Sequence, residues 1–381
     1  MIYADNAATT QLDPVALDAM LPFLRDSYAN PSSLYSFSRF AKKALLEARE
    51  TIAECIGAKP EEIIFTSGGS ESDNWAIKNF VFATSPGKRQ ILTSSIEHHA
   101  ILNSCAEAVK LFGCSTVYAS VDKLGAIDFD DFRSKLSDDI AGASIMLANN
   151  EVGTIEDVKT LAAIAHEHNI LFHTDAVQAV GHIPIDVKDL SVDMLSASAH
   201  KFNGPKGIGF LFVKKDTPLV NFVNGGQQEF SRRAGTENVA SIVGMATALK
   251  NNCTAMHENA LKLRQIEQRF KEIVSENISD VVFNGNPDNH LPGLISLSIP
   301  SCSGESLLHI LDLKGIAVST GAACNSKDTE ISHVLKAMNY PDNLAKGTLR
   351  ISFGKYNSVD DAENLARCLL QYVQKKKVRE N

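Results

Sequence analysis

The sequence lacks the features that direct a chain into a membrane, onto nucleic acid or out of the cell. No apolar run approaches the roughly 20 residues that a membrane-spanning helix needs. The 37 basic residues are outnumbered by 45 acidic ones, and the net charge of −8 gives no general attraction to nucleic acid or to anionic lipid. The N-terminus has neither a basic region nor an apolar core, so we expect no secretory signal.

Cysteine spacing also excludes several classes of protein. The seven cysteines are odd in number and include no C-x-x-C pair, which argues against a disulfide framework and against a zinc site. We therefore expect reduced thiols, a cytoplasmic location and no metal. The hydrophobic fraction of 44% over 381 residues is enough to build the cores of about two domains.

Between about residues 60 and 215, short apolar runs alternate with helical patterns. This alternation predicts an α/β unit with a mostly parallel sheet and crossover helices. We expect the last strand to run antiparallel, because it follows its predecessor so closely. Ligands of parallel sheets bind beyond the carboxyl ends of the strands, and the chemically suggestive residues lie there. The seven expected strands are 62–65, 90–93, 115–118, 144–147, 170–172, 192–195 and 207–213.

A second unit begins near residue 257. Apolar residues from Leu263 to Ile273 recur at helical spacing and predict its first helix. Strands at 294–299 and 348–353 and an amphipathic C-terminal helix follow. We expect a large domain over 16–256 and a small α+β domain made of 1–15 and 257–381.

Lys201 is the most informative residue, because it follows an expected strand and is surrounded by small hydroxylated residues and a histidine. Such a lysine suits covalent capture of a cofactor aldehyde, since burial lowers a lysine pKa and makes the neutral amine available. On its own, the pattern also fits a structural ion pair. Asp175, at another strand end, favours capture, because a carboxylate holds a pyridinium nitrogen protonated. Together the two residues indicate pyridoxal phosphate. We expect Lys206, in a Pro-Lys-Gly turn, not to reach the ring.

A turn rich in glycine and serine, residues 66–72, follows the first expected strand and opens a helix. Its backbone N–H groups suit a phosphate group, and its glycines allow close approach. The alternative is a capping box formed by Ser70 and Asp73 with nothing bound. Combined with Asp175 and Lys201, the phosphate interpretation is the better one.

Three further positions follow strand ends. One of His98 and His99 suits stacking on a planar ring and proton relay, and the residues alone do not say which one. Asn150 can offer an amide to a ring hydroxyl, or it can belong to an ordinary turn. Gln178 lies three residues after Asp175, within reach of the same ring.

Cys324 differs from the other cysteines in its surroundings. It lies in residues 318–327, a small and polar segment without helical or strand periodicity. A thiol on such a segment suits a nucleophile that moves between two places, although an incidental surface cysteine fits equally well. Cys105, Cys253 and Cys368 lie in helical patterns, and we expect them to be buried as small apolar residues.

Motifs along nearly the whole chain resemble cysteine desulfurases of the NifS/IscS type, in the class V aminotransferase family. This resemblance implies a homodimeric fold-type I transferase that depends on pyridoxal phosphate. It also implies conversion of L-cysteine to L-alanine with a persulfide left on Cys324, and sulfur transfer to an acceptor protein for iron–sulfur clusters or for thiolated tRNA or cofactors. The matching segments are residues 3–10, 29–33, 65–74, 149–151, 173–178, 198–201, 232–238 and 348–354.

The resemblance implies a role for each matching residue. Lys201 resembles the cofactor-binding lysine, His98 the ring-stacking acid and base, and Cys324 the sulfur acceptor. Asn30 and Arg350 resemble the clamp for the substrate carboxylate, in which a guanidinium binds a carboxylate through two hydrogen bonds. The implied cofactor contacts are His98, Lys201, Gly69, Ser70, Asn150, Asp175, Gln178, Ser198, His200 and, from the second subunit, Thr236.

Two alternatives use the same fold. Another class V enzyme, such as a selenocysteine lyase or a cystine C–S lyase, would share the cofactor, but Cys324 and its segment argue against it. A non-catalytic sulfur-relay or scaffold protein would not need the cofactor residues, and the presence of Lys201, Asp175 and His98 argues against it.

Overall fold

Strands and helices alternate along the chain as far as residue 213. The structure is a computed structural model that describes residues 1–83, 87, 89–300, 302–320 and 331–380, with side chains to residue 374. The strands are β1 (Ile2–Tyr3), β2 (Ile63–Thr66), β3 (Gln90–Ser94), β4 (Ser115–Ala119), β5 (Ile140–Ser144), β6 (Leu171–Asp175), β7 (Met194–Ser198), β8 (Gly209–Val213), β9 (Val282–Asn284), β10 (Leu294–Ser298), β11 (Ile316–Ala317) and β12 (Thr348–Ser352). The helices are α1 (Pro14–Arg25), α2 (Arg39–Cys55), α3 (Gly69–Ala83), α4 (His99–Phe112), α5 (Phe129–Ser134), α6 (Val158–Glu167), α7 (Val187–Leu190), α8 (Gln228–Ser231), α9 (Val239–Thr254), α10 (Met256–Asn277), α11 (Gly304–Leu313), α12 (His333–Ala337), α13 (Asp342–Ala345) and α14 (Val359–Glu380).

Seven strands form the main sheet, in the order β2-β8-β7-β6-β5-β3-β4. The strands from β7 to β4 run parallel to their neighbours, and β8 runs antiparallel to both β7 and β2. Strands β5 to β8 are almost completely buried, as expected for a sheet with helices on both faces. This arrangement confirms the predicted α/β fold with a mostly parallel sheet and an antiparallel seventh strand.

One predicted strand was placed too late in the chain. The apolar run 144–147 suggested a strand there, but β5 covers Ile140–Ser144 instead. The sequence of β5 contains Gly142, which weakens a strand signal. The structure gives the reason for the glycine: a Cβ atom at this position would meet the Phe80 ring at 2.1 Å. The apolar residues after β5 lie in the buried segment behind the carboxyl end of the sheet.

The C-terminal part of the chain builds a second, smaller layer. Strands β9, β10 and β12 form an antiparallel sheet with β10 in the middle. Its apolar residues form a separate core with those of α10, α11 and α14. The first helix of this part contributes Leu263, Ile266 and Phe270 to that core, as the helical spacing predicted.

The N-terminal segment, residues 2–10, joins the two layers. Strand β1 pairs in parallel with β11, and the Asn6 N–H donates to the carbonyl oxygen of Ser352 at 3.1 Å. Further along, the Thr10 N–H donates to the carbonyl oxygen of His200 at 2.9 Å. Because its hydrogen bonds reach both β12 and the end of β7, this segment positions the C-terminal layer against the main sheet. Across the described residues, none of the helices is both long and apolar enough to cross a membrane.

Candidate active site

A cavity of about 570 Å³ opens at the carboxyl ends of β6 and β7, in front of the N-terminus of α3. The N-terminal segment and Arg350 of β12 complete its wall. Most of the residues singled out in the sequence meet here. Those that line the cavity are Gly69, Ser70, His98, Asn150, Asp175, Gln178, Ser198, His200, Lys201 and Arg350.

Two predicted residues do not line this cavity, and a third cannot be placed. Asn30 and Thr236 are exposed and do not line it, and Cys324 lies outside the described residues. Lys206, which we expected to stay away from the cofactor, does line the cavity with an exposed side chain. Its turn therefore brings a second ammonium group to the site.

Lys201 ends a short 3-10 turn, Ala199–Lys201, directly after β7. Its Nζ donates to the carbonyl oxygens of Ala7 and Ala8, at 2.5 and 2.9 Å. The amide of Gln178 donates to the same Ala7 oxygen at 2.9 Å. The N-terminal segment thus holds the lysine at the cavity wall. Sequence reasoning missed both alanines, because a backbone acceptor leaves no side-chain signal.

Three buried carboxyl groups, Asp73, Glu97 and Asp175, form what we call the carboxyl cluster. Burial raises the pKa of Asp175, and burial together with the nearby Asp175 charge raises the pKa of Asp73 well above its usual range. Burial also raises the pKa of Glu97 to about 8. Oδ1 of Asp73 and Oε2 of Glu97 have no hydrogen-bond partner among the described residues. A further positive charge beside the cluster would favour ionisation of these carboxyl groups.

The two cluster members at the cavity suit a cationic ring nitrogen. Asp73, His98 and Asp175 place ligand atoms within 4.8 Å of one another. Asp175 accepts the Val177 N–H at 2.9 Å and reaches the cavity from the end of β6. A protonated pyridine nitrogen at Asp175 would supply such a charge. In the sequence, Asp73 entered only through the less favoured capping-box alternative, and its carboxyl lies in the cluster.

His98 is fixed in one orientation by helix α4. As the N-cap residue, it accepts the Ala100 N–H through Nδ1 at 3.1 Å. A backbone N–H can only donate, so the proton of the neutral imidazole lies on Nε2. Burial lowers the pKa of His98, which keeps the ring neutral near pH 7. His98 therefore presents an N–H edge and a flat ring to the cavity.

His99, the other candidate histidine, points elsewhere. Its ring meets that of His333 edge to face, with the centroids 4.8 Å apart. Burial and the neighbouring His333 both lower the pKa of His99. Among the described contacts, only His98 of the two lines the cavity.

Gly68, Gly69, Ser70, Ser198 and His200 form what we call the anion cradle. Gly68 has a φ of +149°, and a Cβ atom on Gly69 would lie 2.5 Å from Cγ2 of Val177. Glycine is therefore needed at both positions, as close backbone approach requires. The free N–H groups and positive dipole end of α3 begin here, beside the hydroxyls of Ser70 and Ser198.

His200 completes the anion cradle as a neutral group. Burial, and then Lys201, lower its pKa to about 4, and its Nδ1 lies 3.1 Å from the hydroxyl oxygen of Thr9. The cradle therefore offers hydroxyls, backbone N–H groups and an imidazole, with the Lys206 ammonium nearby. This set of donors fits a phosphate monoester.

Arg350 faces the cavity from the other side, at the centre of β12. One terminal nitrogen donates to Asp5 Oδ1 at 2.8 Å, and the other donates to the carbonyl oxygen of Asn150 at 3.1 Å. Its buried Nε has no partner among the described residues. A guanidinium with an unused donor suits a substrate carboxylate. Asp5 was missed from the sequence, since 345 positions separate it from Arg350.

Comparisons with known proteins agree with this geometry. The chain matches the family model described as aminotransferase class-V over residues 2–365. It is 47% identical over 374 residues to the cysteine desulfurase IscS of Dictyoglomus turgidum, covering 98% of this chain and 95% of that protein. A solved structure described as a NifS-like protein superposes with a TM-score of 0.92 at 34% identity, covering 98% and 99% of the two chains.

A second solved structure shows a relative with a ligand. It is described as SspA in complex with cysteine, and it superposes with a TM-score of 0.83 at 34% identity, covering 94% of this chain and 100% of that one. The fold, the family model and the full-length similarity all lead to one assignment. This chain belongs to the class V aminotransferase family, in its NifS/IscS-type cysteine desulfurase branch.

Proposed function

We propose that the protein is a cysteine desulfurase, which converts L-cysteine to L-alanine and leaves the sulfur on Cys324. The observation that carries the proposal is the cavity itself, where Lys201, Asp175 and His98 lie opposite Arg350. The relatives named as cysteine desulfurases match over almost the whole chain. Neither a selenocysteine lyase nor a cystine lyase is favoured by these relatives.

The cofactor is pyridoxal phosphate, as in the family, and the residues of the cavity fit it. The anion cradle would hold the phosphate, Asp175 the pyridine nitrogen and Lys201 the aldehyde carbon. Asn150 and Gln178, both in the cavity wall, would contact the ring substituents. When bound, the cofactor accepts the electron pair released from the substrate's α-carbon.

The protein's own groups position the substrate and move its protons. Arg350 would bind the carboxylate through donors that its hydrogen bonds to Asp5 and Asn150 leave unused, and Asn30 is proposed to assist from an exposed position. The amine of Lys201 would carry the α-proton of the substrate. His98, neutral and with its proton on Nε2, offers a hydrogen-bond donor at that atom to the reacting groups.

Sulfur transfer exchanges one bond for another. The thiolate of Cys324 attacks the sulfur of bound cysteine, an S–S bond forms and the carbon–sulfur bond breaks. Its electron pair stays with the carbon skeleton, which takes up protons and leaves as alanine. The net reaction is cysteine plus a protein thiol to alanine plus a protein persulfide, with no outside oxidant.

A homodimer and an acceptor protein complete the proposal. Thr236 is exposed and outside its own cavity, which supports a role in the cavity of a second subunit. Five large apolar side chains from Tyr28 to Phe40 are exposed. Such a concentration of exposed apolar side chains is typical of a protein–protein interface. The persulfide would pass to an acceptor for iron–sulfur cluster assembly or thiolation. The six described cysteines are free thiols, which supports a cytoplasmic location.

We also retain the division into a large domain and a small domain. The separate hydrophobic core around β10 and α14 supports it. The pairing of β1 with β11 supports the inclusion of residues 1–15 in the small domain. The proposed boundaries are 16–256 for the large domain, and 1–15 with 257–381 for the small domain.

Product analysis tests the activity directly. The purified enzyme with L-cysteine should release alanine and form a persulfide, detected by mass spectrometry as one added sulfur on Cys324. Cys324→Ala should retain the cofactor and bind L-cysteine, but lose persulfide formation and most of the alanine release. Full activity in Cys324→Ala, or the sulfur on another cysteine, would show that Cys324 is incidental.

Mixing two variants tests the shared active site. Lys201→Ala lacks the catalytic amine, and Thr236→Ala lacks the hydroxyl proposed to serve the second subunit. In a mixed dimer, the cavity with Lys201 receives Thr236 from the other chain and is complete. Mixing the unfolded variants and refolding them together should therefore restore tight cofactor binding at about a quarter of the sites, by random assortment of subunits. No recovery in a sample that contains mixed dimers would place Thr236 outside the shared site.

A further inference from the structure

Two thiols outside the cavity lie in contact at the ends of two packed helices. Cys55 is the last residue of α2, and Cys253 is the second-last residue of α9, which packs along α2. Their side chains hydrogen-bond to each other. Both are half-buried at the edge of the main core, although the helical pattern predicted burial for Cys253, as it did for Cys368, which is also half-buried.

Contact makes the two thiols chemically different. The hydrogen bond that Cys55 donates lowers the pKa of Cys253, because it stabilises the thiolate there. The same bond, followed by burial, raises the pKa of Cys55. Of the charged neighbours, Glu54 raises the pKa of Cys55 further and Lys250 lowers it. Cys253 is thus suited to attack first and Cys55 to attack second.

Other cysteines provide a contrast within the same chain. Cys105 and Cys114 are buried in a different hydrophobic cluster, between α4 and the edge of the main sheet. Burial raises the pKa of Cys105 to about 12, and burial also raises the pKa of Cys114. Neither has a stabilised thiolate, so we expect both to react slowly.

We propose that Cys55 and Cys253 form a dithiol that small-molecule disulfides oxidise to an intramolecular disulfide. The Cys253 thiolate attacks one sulfur of a disulfide such as cystine, whose S–S bond breaks and releases one cysteine. Cys55 loses its proton and attacks the Cys253 sulfur of the mixed disulfide, which releases a second cysteine. The two protein thiols are oxidised, the small disulfide is reduced, and the two protons end on the released thiols.

The new bond would join helices that flank the segment bearing Thr236. Helix α2 carries Arg49, whose guanidinium makes two hydrogen bonds with the buried carboxylate of Glu229. Helix α9 begins with its N-cap at Asn238, directly after that segment. A disulfide between the helix ends would restrict the unfolded chain and hold α2 against α9.

The test uses full-length holoenzyme carrying Cys324→Ala, so that the proposed catalytic cysteine takes no part. The protein is incubated with cystine at neutral pH, alkylated with iodoacetamide and mapped by mass spectrometry. We expect one cross-linked peptide pair, Cys55 with Cys253, that has lost two hydrogens and forms at least tenfold faster than any modification of Cys105 or Cys114. The oxidised protein should melt at a higher temperature than the reduced protein.

Single serine variants separate the two roles. Cys55→Ser keeps a hydroxyl donor but cannot attack second, so a mixed disulfide with cysteine should accumulate on Cys253. Cys253→Ser should leave Cys55 largely unmodified. Cofactor absorbance shows whether each variant is folded. Absence of the cross-link in the folded parent, or equal modification of Cys55 and Cys253 in the two variants, would overturn the proposal.

Discussion

The carboxyl cluster and the anion cradle lie on the same cavity but are built in opposite ways. The cluster collects buried carboxyl groups whose pKa values are raised by burial, and two of their oxygen atoms have no hydrogen-bond partner among the described residues. The cradle collects neutral donors, glycines and a helix N-terminus. A cation would stabilise the carboxyl cluster, and an anion would be bound by the anion cradle. The cavity is therefore complementary to a molecule that carries both charges at opposite ends.

Lys201 belongs to neither side, and its removal should have the largest effect. Lys201→Ala should reduce turnover of L-cysteine by at least about a thousandfold, because the covalent attachment and the proton carrier are lost together. Alanine release and cofactor absorbance measure the effect. Lys206→Ala is the matched control and should keep the covalent bond between Lys201 and the cofactor, which chemical reduction traps. A reducible bond in Lys201→Ala would assign the attachment to another lysine.

The cluster side is tested by Asp175→Asn. An amide cannot hold the ring nitrogen protonated, so turnover should fall by about a hundredfold or more, while the phosphate end still binds. The affinity of the apoprotein for inorganic phosphate should be unchanged in this variant. It is measured from the rise in melting temperature during a phosphate titration. Weaker phosphate binding in this variant would mean that the two sides are not independent.

The cradle side is tested by Ser198→Ala. Loss of one hydrogen bond to a charged group should weaken cofactor binding by about 1.5–3 kcal/mol, roughly ten- to a hundredfold. Turnover at saturating cofactor should change little. Fluorescence titration of the apoprotein gives the affinity and product assays give the turnover. A large loss of turnover at saturation would contradict the separation of the two sides.

The cluster should also make apoprotein stability depend on pH. A carboxyl whose pKa is raised on folding binds a proton more tightly in the native state, so its contribution is present at low pH and lost as pH rises. For Glu97, with a pKa of about 8, the loss extends from its unfolded value to about pH 8. Each such proton changes the free energy of unfolding by up to about 1.4 kcal/mol per pH unit. Urea denaturation should give a flatter pH profile for Glu97→Gln, and an unchanged profile would contradict it.

Asp73→Asn should have the smallest effect. Burial and the neighbouring Asp175 raise the pKa of Asp73 and favour its neutral form, so an amide of the same shape is a conservative replacement. We expect stability and cofactor affinity near pH 7 to stay within about 0.5 kcal/mol of the parent. Asp73→Ala, which leaves a cavity, is the contrasting variant. A large defect in Asp73→Asn would show that this carboxyl is ionised.

Periodicity and strand-end logic predicted most of the fold. The parallel sheet, the antiparallel β8 and the helix at Met256–Asn277 follow from alternation and spacing. The start of β5 could not be predicted, because the glycine at position 142 is required by close contact with Phe80 on helix α3. A packing constraint of that kind has no local signal.

The side chains that line the cavity were easier to predict than the groups that hydrogen-bond to them. Lys201 and Asp175 stand out because each follows an apolar strand. The Ala7 and Ala8 carbonyls could not be found in that way, and neither could Asp5, since each acts through contacts hundreds of residues apart in sequence. Asp73 entered only through the less favoured capping-box alternative, because no local pattern shows that Asp175 lies beside it.

The N-terminal segment has a consequence for the order of events during synthesis. Residues 2–10 leave the ribosome long before their partners, since β1 pairs with β11 and the Ala7 N–H donates to the Ser352 hydroxyl at 2.8 Å. These partners are made more than 300 residues later. The large sheet can form earlier, as domains do during translation. The nascent chain therefore carries Lys201 without its carbonyl acceptors fixed in place until β11 and β12 have been made, and the active site can be assembled only after that point.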